Sequence, residues 1–160
     1  MKIINKLFSQ KEFRDYLRNK DITRTIDKIV LHHTHSTIDE WKRGERSIEY
    51  YKKLYENKGW TSGPHLFIAP KGIWLFTDIN TQGIHANKGN LNSIGVEMVG
   101  RYNTKLPERE IRNNTKFVLK LLLKKLNLSI EDVHFHREYS ERKVCPGRAL
   151  TKRWIKNEMK

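Results

Sequence analysis

The sequence predicts an α/β fold in which helices flank a mixed central β-sheet. Short apolar runs, rich in β-branched and aromatic residues, alternate along the chain with segments of helical periodicity. Such alternation is typical of α/β proteins. The 160 residues, 37% of them hydrophobic, suit one domain with its own core, and no repeat, linker or low-complexity tract divides them.

The first third of the chain predicts two helices separated by a buried strand. A helix is expected from Ser9 to about Lys20, because Ser9 is a suitable N-cap and apolar residues follow it at helical spacing. The segment Ile26–Thr34 is β-rich, and its apolar cluster runs directly into two histidines, as in a buried strand that ends at a polar site. A second helix is expected over residues 47–57.

The middle of the chain predicts a β-hairpin and one further strand. Strands at His65–Ala69 and Ile73–Thr77 flank the turn Pro70-Lys-Gly72, a pattern that indicates a hairpin. The segment Ile94–Val99 is another strand, and Glu97 interrupts its apolar run.

The last third predicts the longest helix, a short strand and a terminal helix. The long helix is expected from Pro107 to about Asn127, since proline suits a first helical position and apolar residues recur at helical spacing. Val133–His136 is expected to be a short strand. Residues 148–160 are expected to form a basic amphipathic helix that packs on the sheet, with action on an outer membrane as the alternative.

The charge of the chain is strongly positive. Lys and Arg number 32 against 18 Asp and Glu, a formal net charge of +14, which draws a protein toward polyanions such as nucleic acid, anionic lipid, lipopolysaccharide or bacterial wall polymers. A solvated basic surface is the alternative, and charge alone does not choose. No helix-turn-helix or ribonucleoprotein motif is present, so nucleic acid is not expected as a partner. Neither a membrane-spanning stretch nor a secretory signal is predicted.

The single cysteine suggests a metal centre. Cys145 lies in a Pro-Gly loop nine positions after His136, and the pair His32 and His33 ends the upstream apolar strand. Two imidazoles and one thiolate make a three-ligand zinc set, which leaves a fourth position open for water, as in catalytic sites. His32 and His33 point to opposite faces of a strand, so only one is expected to be a ligand. These residues alone do not say which.

Two charged residues are candidates for catalysis. Glu97 would be costly if it were buried without a partner, and a water at the metal would supply one. The alternative is an exposed position on an edge strand. Lys143, two residues before Cys145, is placed to reach an oxyanion that develops beside the metal, and an ordinary surface lysine is the alternative.

Other polar and aromatic residues are weaker candidates. His85 lies in a loop that begins with Gly83, where it would orient a substrate, support a metal ligand, or serve as a plain loop histidine. Trp74, beside the hairpin turn, is either a core residue or part of a groove.

The run His136-Arg-Glu138 has the His-x-Glu form of a nucleobase deaminase. That class needs two further cysteines, and this chain contains only one cysteine.

The chain resembles zinc-dependent N-acetylmuramoyl-L-alanine amidases of the type 2 class. These include phage endolysins, bacterial amidases and the peptidoglycan recognition proteins of animals. The resemblance covers roughly residues 26–154. It rests on five runs in order: Ile29-Val-Leu-His-His-Thr34, Gly63-Pro-His-Leu-Phe-Ile68, His85-Ala-Asn87, Asn92-Ser-Ile-Gly-Val-Glu97, and His136-Arg-Glu138 with Lys143-Val-Cys145-Pro-Gly147.

The resemblance implies a role for several residues. Zinc ligands would be His32, His136 and Cys145, binding one Zn²⁺; the catalytic pair would be Glu97 and Lys143; and substrate would contact His85, Trp74 and Asn92. Several phage members carry a catalytic tyrosine where this chain has Pro64, and Glu97 is taken to serve in its place. Non-catalytic recognition proteins typically lack the cysteine ligand, so the cysteine favours an enzyme.

The resemblance also implies a function and a setting. The expected reaction is hydrolysis of the amide between N-acetylmuramic acid and L-alanine in peptidoglycan. The expected protein is a monomeric phage or prophage endolysin, held in the host bacterial cytoplasm until release, with anionic wall polymers or lipopolysaccharide attracted to its basic surface. The alternatives are a bacterial muropeptide-recycling amidase and a non-catalytic recognition module. One catalytic domain over 1–160 is expected, with 1–25 as a helical extension and no separate wall-binding domain.

Overall fold

The computed structural model describes all 160 residues and contains one six-stranded mixed sheet with helices on both faces. The strands are β1 (Lys6–Phe8), β2 (Lys28–His33), β3 (Leu66–Ala69), β4 (Gly72–Leu75), β5 (Ser93–Met98) and β6 (Val133–Phe135). The helices are α1 (Gln10–Asn19), α2 (Ile38–Lys42), α3 (Ile48–Asn57), α4 (Arg109–Leu126) and α5 (Lys152–Met159). Short 3-10 turns lie at Asn87–Asn90, Ile130–Asp132 and His136–Tyr139. The predicted fold class is confirmed.

The sheet has a parallel half and an antiparallel half. Its strand order is β1-β4-β3-β5-β2-β6. Strand β5 runs parallel to β3 and β2, and β2 also runs parallel to β6, whereas β4 pairs antiparallel with both β3 and β1. Parallel strands present their carboxyl ends at one edge, so the ends of β2, β5 and β6 meet there.

The two faces of the sheet carry different layers. The larger core lies between the sheet and helices α1, α4 and α5, whose apolar stripes supply Phe13, Val118 and Ile155 among others. A smaller aromatic cluster lies under α3 on the opposite face, where Tyr51 and Tyr55 pack among other buried side chains. Because side chains alternate along a strand, each face takes every second residue of β2 and β5.

The amino-terminal residues differ from the expected helical extension. Residues 6–8 form β1, which pairs antiparallel with β4 and makes the edge of the sheet. Only Phe8 of this strand is buried. A strand of three residues with one buried side chain has no alternation of buried and exposed positions from which the sequence could predict it. The predicted helix after it is present, and Ser9 and Glu12 form the capping box that begins it.

Some element ends in the second half of the chain also differ from the prediction. The predicted terminal helix begins at Lys152, four residues later than expected, because the side chain of Thr151 accepts a hydrogen bond from the Trp154 amide and caps it. It contributes Ile155 to the larger core, so α5 packs on the fold as the sequence predicts. His136 lies just beyond β6, in a 3-10 turn. No helix combines the length and the apolarity that crossing a lipid bilayer demands.

Candidate metal centre

A cavity of about 590 Å³ opens beside the last residues of β2 and β5. The strand ends, helix α3 with the residues after it, and two loops form its walls. Nineteen residues line it: His32, His33, Thr34, His35, Tyr51, Leu54, Tyr55, Lys58, Trp60, Ile84, His85, Ala86, Asn87, Glu97, His136, Arg142, Lys143, Val144 and Cys145.

Three side chains of the kinds that bind metal ions converge in this cavity. One ligand atom each of His32, His136 and Cys145 lies within 4.8 Å of the other two. The Sγ atom of Cys145 is 3.7 Å from Nδ1 of His32, and it also accepts a hydrogen bond of 3.4 Å from the backbone amide of His33. The three residues come from the end of β2, the turn after β6 and the loop before α5, so the fold assembles the cluster.

Strand geometry decides between the two adjacent histidines. The side chain of His32 enters the cluster, whereas Nδ1 of His33 accepts a hydrogen bond of 3.1 Å from the backbone amide of Tyr102. The alternation of side chains along β2 produces this division. Of the two histidines, only His32 belongs to the donor set.

The chemistry of the cluster suits a zinc ion. Burial lowers the pKa of His136 to about 4 and that of His32 well below its usual range, which leaves both imidazoles neutral and able to bind a metal. Burial also raises the pKa of the Cys145 thiol, so a cation is needed to hold it as thiolate. Two nitrogen donors and one sulfur donor form a set that zinc prefers.

Glu97 lies next to this cluster and is buried. Its side chain faces the same side of the sheet as His32, and its Oε1 atom is 3.8 Å from Nδ1 of that histidine. The other oxygen, Oε2, is buried without a hydrogen-bond partner. Burial raises the pKa of Glu97 to about 8, and the positive charge of Lys58 partly opposes the shift. A carboxyl that exchanges its proton near neutral pH is suited to acid–base catalysis.

Two lysines line the cavity. Lys143 is exposed, and its positive charge lowers the pKa of His136 and, in opposition to burial, that of Cys145, so its ammonium acts on the donor set. Lys58 was not singled out in the sequence. Its Nζ atom lies 4.9 Å from the ring centroid of Trp60 and 5.9 Å from that of Tyr55. The only sequence signal for this wall of the cavity is the helical spacing of Tyr51 and Tyr55, which places both side chains on one face of α3.

The three predicted substrate-binding residues occupy different places. His85 is 6% exposed and lines the cavity, with Nδ1 3.0 Å from Nε2 of His32. Trp74 is half-buried on β4, packs against the aromatic cluster under α3 and does not line the cavity. Asn92 also lies outside the cavity; it has a positive φ of 54° and donates a hydrogen bond of 3.5 Å from Nδ2 to Asp27.

Known proteins are similar to this chain in sequence pattern and in fold. A family model described as N-acetylmuramoyl-L-alanine amidase matches residues 22–148. The endolysin amidase LysCS from Clostridium intestinale URNW has a similar structure, with a TM-score of 0.75 and 19% identity over 99% of this chain and 91% of that one. No curated protein sequence gives a significant match.

Animal recognition proteins share the fold as well. Drosophila PGRP-LB matches with a TM-score of 0.69 and 21% identity, over 82% of this chain and 80% of that one. A point mutant of PGRP-LB in complex with tracheal cytotoxin gives the same values. At identities this low, the structural matches show that the fold is shared and nothing more.

Proposed function

Starting from the membership of this chain in the N-acetylmuramoyl-L-alanine amidase family, we propose that it hydrolyses the amide between N-acetylmuramic acid and L-alanine in peptidoglycan. One zinc ion would be held by His32, His136 and Cys145. The observation that carries the proposal is the presence of these three donors beside the buried carboxyl of Glu97, in a single cavity.

A bound zinc ion would supply Lewis acidity toward the amide carbonyl and would lower the pKa of water toward ~7. Glu97 is the group that moves protons. As a carboxylate it accepts a proton from the attacking water, and as an acid it delivers that proton to the leaving amine. Burial raises the pKa of this carboxyl to about 8 in the metal-free protein, and a bound cation beside it would lower that pKa again, toward the carboxylate that the first task needs.

Lys143 is proposed to stabilise the oxyanion that forms as water adds to the carbonyl. It lines the cavity and is exposed, so its ammonium reaches a substrate without the cost of burying a charge. Its influence on the pKa of His136 and Cys145 supports a position near the reacting carbonyl.

A combined metal and product analysis tests the proposal. The purified protein is expected to contain zinc at one ion per chain. Mass spectrometry of digested cell-wall sacculi is expected to show stem peptides with a free L-alanine amine and glycan strands with intact sugars. Cleavage of a different bond, or a protein that binds no zinc, would contradict it.

A non-catalytic recognition module is the second candidate, and the shared fold with animal recognition proteins motivates it. Cys145 in the cluster favours turnover, since it completes a three-donor set. Binding of the protein to purified walls without any release of peptide, at full zinc occupancy, would support recognition instead.

The proposed biological role is that of a phage or prophage endolysin, held in the host cytoplasm until it is released to the wall and active as a monomer. Likeness to an endolysin amidase and the net charge of +14 support it, because bacterial walls are anionic. A muropeptide-recycling amidase is the alternative. The endolysin is expected to prefer intact sacculi over soluble muropeptides, and the reverse preference would favour recycling.

The basic surface would hold the protein near anionic wall polymers or lipopolysaccharide. Exposed charges are screened over about 8–10 Å at moderate salt, so added salt weakens such an attraction. Co-sedimentation with walls is therefore expected to fall as the salt concentration rises, and binding that ignores salt would exclude this contribution.

A further inference from the structure

His85 is buried between a metal-binding candidate and a strand. Its Nδ1 atom lies 3.0 Å from Nε2 of His32, and its Nε2 atom lies 3.2 Å from Oγ of Ser93. The hydroxyl of Ser93 in turn donates a hydrogen bond of 3.0 Å to the backbone carbonyl of Asn90. Four groups therefore form an unbroken hydrogen-bonded chain that ends at a carbonyl.

The terminal carbonyl fixes the direction of every bond in this chain. A carbonyl only accepts, so the single hydrogen of the Ser93 hydroxyl is used on Asn90. The Ser93 oxygen must then accept from Nε2–H of His85. A neutral imidazole carries one hydrogen, so Nδ1 of His85 accepts, and the donor is Nε2–H of His32. This leaves Nδ1 of His32 without a hydrogen, as an acceptor that faces Sγ of Cys145 at 3.7 Å.

The surroundings of His85 hold the ring in this orientation. The side chain of Asn90 accepts hydrogen bonds from the backbone amides of His85 and Ala86, at 2.8 and 2.6 Å. Gly95 lies on the same face of β5 as Ser93, and a Cβ added there would approach the His85 ring to 2.7 Å. A side chain at position 95 would displace the imidazole, so the glycine makes room for it.

We propose that His85 and Ser93 are positioning residues that hold His32 in the tautomer that binds the metal. This inference rests on the proposed function, because it concerns the zinc ligand set. Outer partners of a metal-bound histidine typically set its tautomer, and their loss costs roughly 10- to 100-fold in metal affinity. His85 thus contributes to the site through His32 and needs no contact with the substrate.

Zinc affinity of three variants tests the proposal. His85→Leu removes the acceptor, and Ser93→Ala removes the group that directs the His85 proton, so both are expected to weaken zinc binding by about 10- to 100-fold in competition with a chelator. His85→Gln carries both an acceptor oxygen and an N–H donor and is expected to retain most of the affinity. Ser62→Ala is the matched control. Ser62 is a buried serine whose hydroxyl donates to the backbone carbonyl of Gln82, and it takes no part in the hydrogen bonds that link His32, His85 and Ser93.

Nitrogen-15 spectra of the histidine rings provide a readout that simple loss of packing would not move. In the zinc-free protein His32 is expected to carry its proton on Nε2, and Ser93→Ala is expected to show a mixture of both tautomers. A proton on Nδ1 of His32 in the wild type, or unchanged zinc affinity in His85→Leu, would overturn the inference. Failure of the wild type to bind zinc would instead overturn the proposed function, while the spectra would still report the tautomer.

Discussion

His32 and Glu97 lie directly opposite each other on the adjacent parallel strands β2 and β5, with Nδ1 of His32 3.8 Å from Oε1 of Glu97. The same nitrogen faces Sγ of Cys145 at 3.7 Å. Strand register alone therefore sets the proposed base beside the proposed metal. Neither His32 nor Glu97 depends on a flexible loop for its place.

Replacement of Glu97 by Gln is expected to separate metal binding from catalysis. The amide keeps the size of the side chain but cannot take up a proton, so zinc content should stay at the wild-type level while turnover falls by about 10²- to 10⁴-fold. Elemental analysis and a peptide-release assay on the same preparation check this. Near-normal turnover in the variant would remove Glu97 from the mechanism.

Replacement of Cys145 by Ser is expected to remove zinc and activity together. A serine hydroxyl is a far weaker zinc ligand than a thiolate, and two histidines alone hold the ion poorly. The variant serves as the counterpart of Glu97→Gln, because one loses the ion and the other keeps it. Wall lysis that persists in Cys145→Ser would count against the assigned ligand set.

Replacement of Lys143 by Met is expected to lower kcat by about 100- to 1000-fold, the usual cost of one lost electrostatic contact to an oxyanion. Because Lys143 is exposed, neither zinc content nor the melting temperature should change. Arg148→Met is the control, since Arg148 is exposed in the same segment and does not line the cavity. Equal losses in both variants would point to a general effect of charge.

Substitutions of Asn92 test whether it serves the backbone or the substrate. Its positive φ of 54° suits Asn and Gly, so Asn92→Ala is expected to lower the free energy of unfolding by about 1–2 kcal/mol, whereas Asn92→Gly should cost less. Because the residue lies outside the cavity, KM for a muropeptide should be unchanged in Asn92→Gly. An increase in that KM would restore the substrate role that the sequence predicts.

The metal-free protein is expected to lose stability in mild acid. Burial lowers the pKa of His33, His65 and His136 to about 4, so unfolding takes up protons that the folded state excludes. The free energy of unfolding should therefore fall as the pH drops from about 6.5 toward 4, and each histidine lowers it by at most about 1.4 kcal/mol for every pH unit.

Glu97 opposes this trend, since its raised pKa makes the folded state bind a proton that the unfolded state releases between pH 4.5 and 8. The loss of unfolding free energy caused by the three histidines between pH 7 and pH 5 exceeds the gain from this one carboxyl. Urea unfolding at pH 7 and pH 5 measures the balance, and equal stability at both values would contradict the lowered pKa values of the three histidines.

The sequence predicted the sheet well because its central strands are continuous apolar runs. The segments from Ile29 to Leu31 and from Ile94 to Val96 are buried throughout, and their short length and β-branched residues favour a strand over a buried helix. The edge strand β1 was missed, since three residues with one buried side chain carry too little pattern.

The candidate site was predictable in part. Ordered motifs identified the three donors and Glu97 through resemblance, and the family is confirmed. The residues alone left the choice between His32 and His33 open and the resemblance implied His32; the structure brings the side chain of His32 into the cluster. The orientation of His85 likewise depends on Ser93 and Asn90, whose hydrogen bonds form only after the loop packs on β5.

The donors His32 and Cys145 are separated by 113 positions in the chain, and β2, β6 and the loop before α5 must all be assembled before they meet. An unfolded chain offers no comparable trio, so the proposed uptake of a zinc ion would be thermodynamically linked to the completion of the tertiary structure. A chelator would consequently act as a mild denaturant of this protein, and zinc supplied during refolding would shift the equilibrium toward the folded protein.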